Sequence, residues 1–252
     1  MKLRTLVERL ARNRSFARRF PSEFGRRSIQ VSPDAALRWL KPDASAFETA
    51  LLAIARHFIK PGMVTWDIGA NVGVFTVAAG HLSGAPVLAI EADPFLAGLL
   101  RRTSARNPDL HIDILCVAIG DRDGVARFRV AGRGRASSGI EGGELSTQHG
   151  ETRQILNVPM LTLDRLLDDF PAPQFVKVDV EGAELLLLAG AQTLLRDVRP
   201  TMLIEVTDKT WAQAAHLFET AGYRLFDGDA PPGEQRPASK FTTNVLACPD
   251  ER

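Results

Sequence analysis

The sequence predicts an α/β fold: a doubly wound, mostly parallel sheet behind a helical N-terminal extension. Three observations carry this. From residue 64 onward, short apolar runs bounded by turn residues alternate with longer amphipathic stretches, the rhythm of parallel strands joined by right-handed helical crossovers. A glycine-bearing turn, "DIGANVG" at 67–73, joins the first such run to the first such stretch. Charged residues recur where runs end, at Glu91 and Asp179, and that end of an open sheet is where ligands dock.

The elements follow in order. "MKLRTLVERLARNRSFARRF" (1–20) places Leu3, Leu6, Val7 and Leu10 at helical spacing with arginines on the other faces, which predicts a helix. Positions 1–28 hold nine basic residues against two acidic ones, so a basic arm precedes an acidic body. Such a helix packs on its own domain or across a homodimer; the other expectation is peripheral contact with a membrane surface. "SAFETALLAIARHF" (45–58) predicts a second helix, ended by "KPG" at 60–62. Residues 1–60 are therefore expected to form a basic helical arm or cap, and 61–252 the main domain. Strands are predicted at 64–68, 87–91, 112–117, 175–180, 202–206, 223–226 and 244–248, and helices at 72–82, 94–106, 183–195 and 210–221. "VARFRV" (125–130) predicts an extra strand. Six glycines and few apolar side chains in 131–150 predict a flexible substrate loop. Ser137 and Ser138 would meet a hydroxylated acceptor from it, and His149 is a candidate base. Its scarcity of aromatic residues favours a polar, sugar-like acceptor over a flat one.

Composition narrows the function. The chain has 252 residues, 45% hydrophobic and 24% charged, enough for a sizeable core. A net charge of +1 argues against nucleic acid as the partner. No stretch approaches the roughly 18 apolar residues of a membrane span, and the basic N-terminus lacks the apolar core of a signal peptide, so a cytoplasmic protein is expected. Cys116 and Cys248 lie in strand-like runs and are expected to be buried, reduced thiols, too few for a zinc cluster. His57, His81, His111 and His216 fit structural roles. No Ser-His-Asp spacing and no phosphate-binding P-loop occurs, which weighs against hydrolases and kinases.

Three stretches carry chemistry. In the first, Gly69 and Gly73 let the backbone turn tightly and approach a ligand, and the following helix start offers free N–H groups. The third glycine of a dinucleotide fingerprint is replaced by Thr76. Asp67 beside the turn suits no pyrophosphate but suits a cationic amino-acid end, and Asn71 adds a neutral polar group. In the second, "VLAIEADP", Glu91 stands 18 residues after Gly73, where a carboxylate can accept hydrogen bonds from both hydroxyls of a ribose. Together the two favour an adenosyl cofactor without phosphates, S-adenosylmethionine, over NAD. In the third, "FVKVDVEGAELLLLAGA" (175–191), alternation puts Lys177, Asp179 and Glu181 on one side of an extended segment. Charges there are costly unless they bind something. Asp179 and Glu181 are candidate bases, with Lys177 to orient the acid or the substrate. A divalent metal on Asp179, Glu181 and Glu205 is the less favoured alternative.

These stretches resemble the FkbM family of S-adenosylmethionine-dependent methyltransferases. The resemblance rests on "DIGANVG" (67–73), "EADP" (91–94), "KVDVEGAE" (177–184) and "MLIEV" (202–206), and spans roughly residues 60–206. It implies a class I, Rossmann-like methyltransferase fold and methyl transfer from S-adenosylmethionine, usually to a hydroxyl oxygen of a natural product or sugar. By similarity Asp67, Gly69, Ala70, Asn71, Gly73, Glu91 and Ala92 would line the cofactor site. Ala118 and Ile119 of "VAIGDRDG" would lie near the adenine, with Asp121 close by. The arm and residues 131–150 fall outside the resemblance. Two rivals stay open. One is an N-methyltransferase on an amine or peptide, although "DVEG" stands where the Asp/Asn-Pro-Pro-Tyr/Phe signature of that chemistry would be. The other is a non-catalytic S-adenosylmethionine-binding module acting through its arm.

Overall fold

Runs of four or five apolar residues are too short to bury a helix face but long enough to cross a sheet, and strands are what they form. The computed structural model describes residues 14–41, 43–132, 134–142, 152–234 and 236–251. The described residues begin with a hairpin of β1 (Phe16–Arg19) and β2 (Ser28–Val31), then α1 (Thr49–Phe58). There follow β3 (Thr65–Ile68), α2 (Val74–Ser83), β4 (Val87–Ile90), α3 (Pro94–Ala105) and β5 (Ile112–Leu115). A second, smaller group comprises β6 (Ala118–Ile119), β7 (Gly124–Ala131), β8 (Gly139–Ile140) and β9 (Thr152–Leu161). The chain then forms α4 (Leu163–Leu166), β10 (Phe175–Val178), α5 (Glu184–Ala189), β11 (Thr201–Glu205), α6 (Trp211–Thr220), β12 (Tyr223–Asp227) and β13 (Asn244–Pro249).

The main sheet has seven strands in the order β12-β13-β11-β10-β3-β4-β5. All pairings are parallel except those of β13, which runs antiparallel to both neighbours. Every residue of β3, β4 and β10 is buried, because helices cover both faces and leave no side for polar residues. One face packs against α1, α2 and α3, and the other against α4, α5 and α6. The strand order reverses between β3 and β10, so the loops after these two strands splay apart there and open a crevice. The smaller sheet, ordered β6-β9-β7-β8, stands beside that crevice.

Four expectations need correction. Residues 16–19, read as the end of a helix, form β1, because Phe16, Arg18 and Phe20 turn inward with strand rather than helical alternation. Residues 1–13, and with them the rest of that helix, lie outside the described residues. The helix expected at 183–195 stops at Ala189, where Gly190 presses on the backbone: a Cβ there would come within 2.2 Å of the Gly120 carbonyl oxygen. The chain resumes as a π turn at Leu194–Val198. Residues 134–140, read as part of a flexible loop, form a 3₁₀ turn and β8 around a buried Arg135. The two aspartates that satisfy Arg135 come from positions 34 and 93, a pairing no local pattern shows. His149 lies outside the described residues. Cys116 and Cys248 are unpaired but only half-buried, and burial still raises both thiols above their ordinary pKa. No helix among the described residues is long and apolar enough to cross a membrane.

Candidate active site

The crevice begins where β3 ends. Gly69 takes φ +75°, Asn71 φ +54° and Gly73 φ +91°, so this turn runs through left-handed conformations that most residues avoid. At Gly69 space is the stricter limit: a Cβ would lie 1.8 Å from the carbonyl oxygen of Asp179, so the loops after β3 and β10 touch backbone to backbone. Gly69 and Ala70 each donate an N–H to the Ile90 carbonyl at 2.9 Å, and Gly73 leads into α2. The turn is thereby sewn to the end of β4.

Glu91 holds the other side. Its Oε2 accepts the Asn71 N–H and its Oε1 the Asp93 N–H, both at 2.8 Å. Burial raises its pKa to about 7; the nearby Asp93 charge pushes the same way, and the two backbone donors and Lys177 partly offset them. Each carboxylate oxygen keeps a second lone pair, so the bonds to Asn71 and Asp93 fix the carboxylate without exhausting it.

A chamber of about 580 Å³ opens over this floor. Of the residues expected around the cofactor, Gly69, Asn71, Glu91, Ala92, Ala118 and Ile119 line it. Ala70 lines the neighbouring chamber instead, and Asp67, Gly73 and Asp121 line neither. Asp67 is fully buried, with Oδ2 accepting from Thr76 Oγ1 at 2.5 Å and Oδ1 3.4 Å from Lys177 Nζ. It anchors the start of the turn, and its Oδ1 accepts no hydrogen bond in the protein. The wall residues that escaped the sequence include Phe128, Arg135 and Ile140, from the smaller sheet and its connection. The alternation in "VARFRV" predicts a strand at Phe128, but nothing in it reveals that the strand folds over this crevice. Ser138, expected at the acceptor, lines this first chamber, and its Oγ accepts the Ala131 N–H at 3.0 Å.

A second chamber of about 810 Å³ adjoins the first, and Asn71, Ala136, Asp179 and Glu181 line both. Here the third motif converges, although not as one extended strand: β10 ends at Val178, and Glu181 takes φ +53°. Lys177 is buried and donates to the Gly69 carbonyl at 2.9 Å, with Asp179 Oδ2 at 3.3 Å. Burial alone would lower its pKa, but the carboxylates of Asp179 and Asp67 outweigh burial and hold it above the ordinary lysine range. Burial, then repulsion from Asp179, Glu205 and Glu184, raises Glu181 to about 8. Glu205, at the end of β11, also lines this chamber and is raised to about 7 by the same two causes, although its surface is exposed and water screens part of the effect. Among the described residues no group of three or more His, Cys, Asp or Glu side chains is disposed to hold a metal ion. Asp179, Glu181 and Glu205 thus share a chamber without forming a ligand set. The remaining walls include Arg38, Trp39 and Glu48, with Arg38 ion-paired to Glu48.

Residues 67–225 match the model of the FkbM methyltransferase domain. The chain belongs to the FkbM methyltransferase family. The family is one of S-adenosylmethionine-dependent methyltransferases. Among solved structures it resembles the FkbM methyltransferase of Methylobacillus flagellatus, with 16% identity and a TM-score of 0.48 over 74% of this chain and 43% of that one. The chain therefore spans less than half the length of that protein. It also resembles a TehB-like S-adenosylmethionine-dependent methyltransferase of Corynebacterium glutamicum (13% identity, TM-score 0.46, 85% of this chain and 95% of that one). A third likeness is to Aeropyrum pernix fibrillarin (10% identity, TM-score 0.45, 79% and 72%). No curated protein matches the chain.

The first chamber fits the cofactor the family implies. Gly69 lets the loops after β3 and β10 close up beneath the chamber, and Asn71 Oδ1 is buried with no hydrogen-bond partner in the protein. Glu91 as a ribose acceptor gives an expected result. Affinity for S-adenosylhomocysteine should fall as pH drops through about 7, where the carboxylate gains a proton, and Glu91→Gln should flatten that dependence. Calorimetric titration from pH 8 to 6 checks it; a wild-type affinity flat across this range counts against ribose at Glu91.

Proposed function

We propose that this FkbM-family chain is an O-methyltransferase acting on a hydroxyl of a sugar-like small molecule. The observation that carries the proposal is the pair of adjoining chambers, one walled mainly by apolar residues above Glu91 and one polar, which meet at Asn71, Asp179 and Glu181. S-adenosylmethionine, when bound, supplies an electrophilic methyl group on sulfur. Glu91 would hold its ribose hydroxyls, Ala118 and Ile119 would flank its base, and Asn71 would meet its amino-acid end. The second chamber would take the acceptor.

The chain's own work is then to bring the hydroxyl to the chamber boundary and remove its proton. An alcohol is a weak nucleophile at neutral pH and gains from a base. Glu181 is placed for this, at the junction of the chambers, and its neighbours make it a better base than an ordinary glutamate. Lys177, fixed by Gly69, holds Asp179 in place. The base must be ionised to act, so the methylation rate should rise with pH through about 8. Glu181→Gln should abolish this limb and lower kcat by about 10²–10⁴-fold. A pH–rate profile of both proteins checks it, and unchanged profiles would remove Glu181 from the reaction.

One observation favours a second reading. Glu48, Asp179, Glu181 and Glu205 outnumber Arg38 and Lys177 among the described charged residues of the acceptor chamber. Such a surface also suits a cationic amine, the acceptor of an N-methyltransferase. Incubation with methyl-labelled S-adenosylmethionine and paired acceptors, neutral sugars against their amino counterparts, tests both. Label on oxygen supports the first reading and label on nitrogen the second. Binding of S-adenosylhomocysteine with no label transferred to either class would favour a non-catalytic module.

A further inference from the structure

Arg135 belongs to none of the sequence motifs, and the chemistry above leaves it unused. Yet it is only 8% exposed, and two of its three guanidinium nitrogens bond to carboxylates. Its Nη1 donates to both carboxylate oxygens of Asp93, at 2.9 and 2.7 Å, and its Nε to Asp34 Oδ2 at 3.2 Å. Its guanidinium lies 4.6 Å from the centre of the Phe95 ring. Arg153 Nη1 donates to both oxygens of Asp34 at 3.0 Å, so two arginines balance two aspartates.

The network reaches both chambers. On one side Arg135 lines the first chamber, and Asp93 donates its N–H to Glu91, which in turn accepts from Asn71. Asp93 also caps α3 through the Phe95 N–H at 2.8 Å. On the other side the backbone N–H groups of Arg135 and Ala136 donate to the carbonyls of Asp34 and Ala35, at 3.0 and 3.3 Å. Asp34 and Ala35 lead directly into the turn Leu37–Leu40, whose Arg38 and Trp39 wall the second chamber. Moving Arg135 outward would strip donors from two buried carboxylates at once, so intermediate positions are unfavourable and the network stays whole or opens as a unit.

We infer that Arg135 is a positioning residue that couples the two chambers: filling the cofactor chamber orders the wall of the acceptor chamber. The inference rests on the cofactor reading above. A ligand against the wall formed by Arg135, Ser138 and Phe128 favours the closed network, and the closed network fixes residues 34–40. By linkage an acceptor held by Arg38 and Trp39 tightens the cofactor in return.

Hydrogen exchange of the full chain with and without saturating S-adenosylhomocysteine tests this, beside calorimetry to establish binding. In the wild type, ligand should add protection at 134–140 and also at 33–40. In Arg135→Gln, affinity should fall about tenfold, the loss of one charge-assisted contact. At saturation the ligand should still protect 67–76 but no longer 33–40. Arg135→Lys should restore part of the effect, because an ammonium reaches one aspartate but lacks the fork that spans both. A purely structural Arg135 would lower Tm without separating the two protected regions. Protection at 33–40 that persists in Arg135→Gln, or that never appears in ligand-bound wild type, overturns the coupling. If Arg135→Gln does not fold, Asp34→Ala carries the same test, since it removes the side-chain link from Arg135 to residues 34–40 and leaves the Asp93 pair intact. Folded wild type that binds no S-adenosylhomocysteine overturns the cofactor reading itself, a distinct result.

Discussion

Lys177→Met should lower Tm by roughly 10 °C. The lysine is buried between a fully buried Asp67 and the backbone of the glycine turn, with Nζ 3.4 Å from Asp67 Oδ1 and 2.9 Å from the Gly69 carbonyl oxygen. Methionine keeps most of the volume and removes the charge. Asp67 is then left in the interior with only the Thr76 hydroxyl, and an ion pair broken on one side in the interior costs about 3–5 kcal/mol. In a chain of this size each kcal/mol moves Tm by about 2–4 °C. The bond to Asp179 adds little, since that carboxylate is 41% exposed. The double variant Lys177→Met with Asp67→Asn should recover much of the loss, because no buried charge is then unbalanced. Melting curves of the four proteins in the cycle decide it. A single variant that melts within about 2 °C of wild type would mean that water reaches Asp67 and that the pair is not structural.

Gly69→Ala should abolish measurable binding of S-adenosylhomocysteine, a loss of at least a hundredfold, while the chain still folds. Two effects combine. A non-glycine residue at φ +75° costs about 1–2 kcal/mol. The added methyl would also lie 1.8 Å from the Asp179 carbonyl oxygen, so the loops after β3 and β10 must part. Parting them moves Asn71, Asp179 and Glu181 together, the residues at which the two chambers meet. Circular dichroism should show the fold retained at a reduced Tm, and calorimetry the binding lost. An alanine variant with wild-type affinity would show that the turn has room, and the close contact of Gly69 with Asp179 would lose its role in cofactor binding.

The two variants mark how far the sequence could be followed. Gly69, Asn71 and Glu91 were legible because strand, turn and helix succeed one another locally, and an acid at the end of the next strand stands at a short, regular interval. The core strands were legible for the same reason, since their apolar runs admit few alternatives. The contacts of Asp67 were not legible: they come from Thr76 nine residues later and Lys177 on another strand. Arg135 was missed altogether. In "AGRGRASSGIEGG" nothing local distinguishes it from a solvated loop residue, and its partners lie 42 and 101 positions away. The long β9 was missed because its outward face is polar and its pattern too mixed to read alone.

By itself, then, the sequence determined what short-range physics determines: strand and helix order, the glycine turn and the acid that faces it, and from these the family. The tertiary structure decided which charges line a chamber and which are paired with one another. It turned the segment 134–140 from a loop into a wall, and it divided one expected site into two chambers. The reason is that burying a charge depends on where its counter-charge comes to lie, and in this fold the counter-charges arrive from distant parts of the chain.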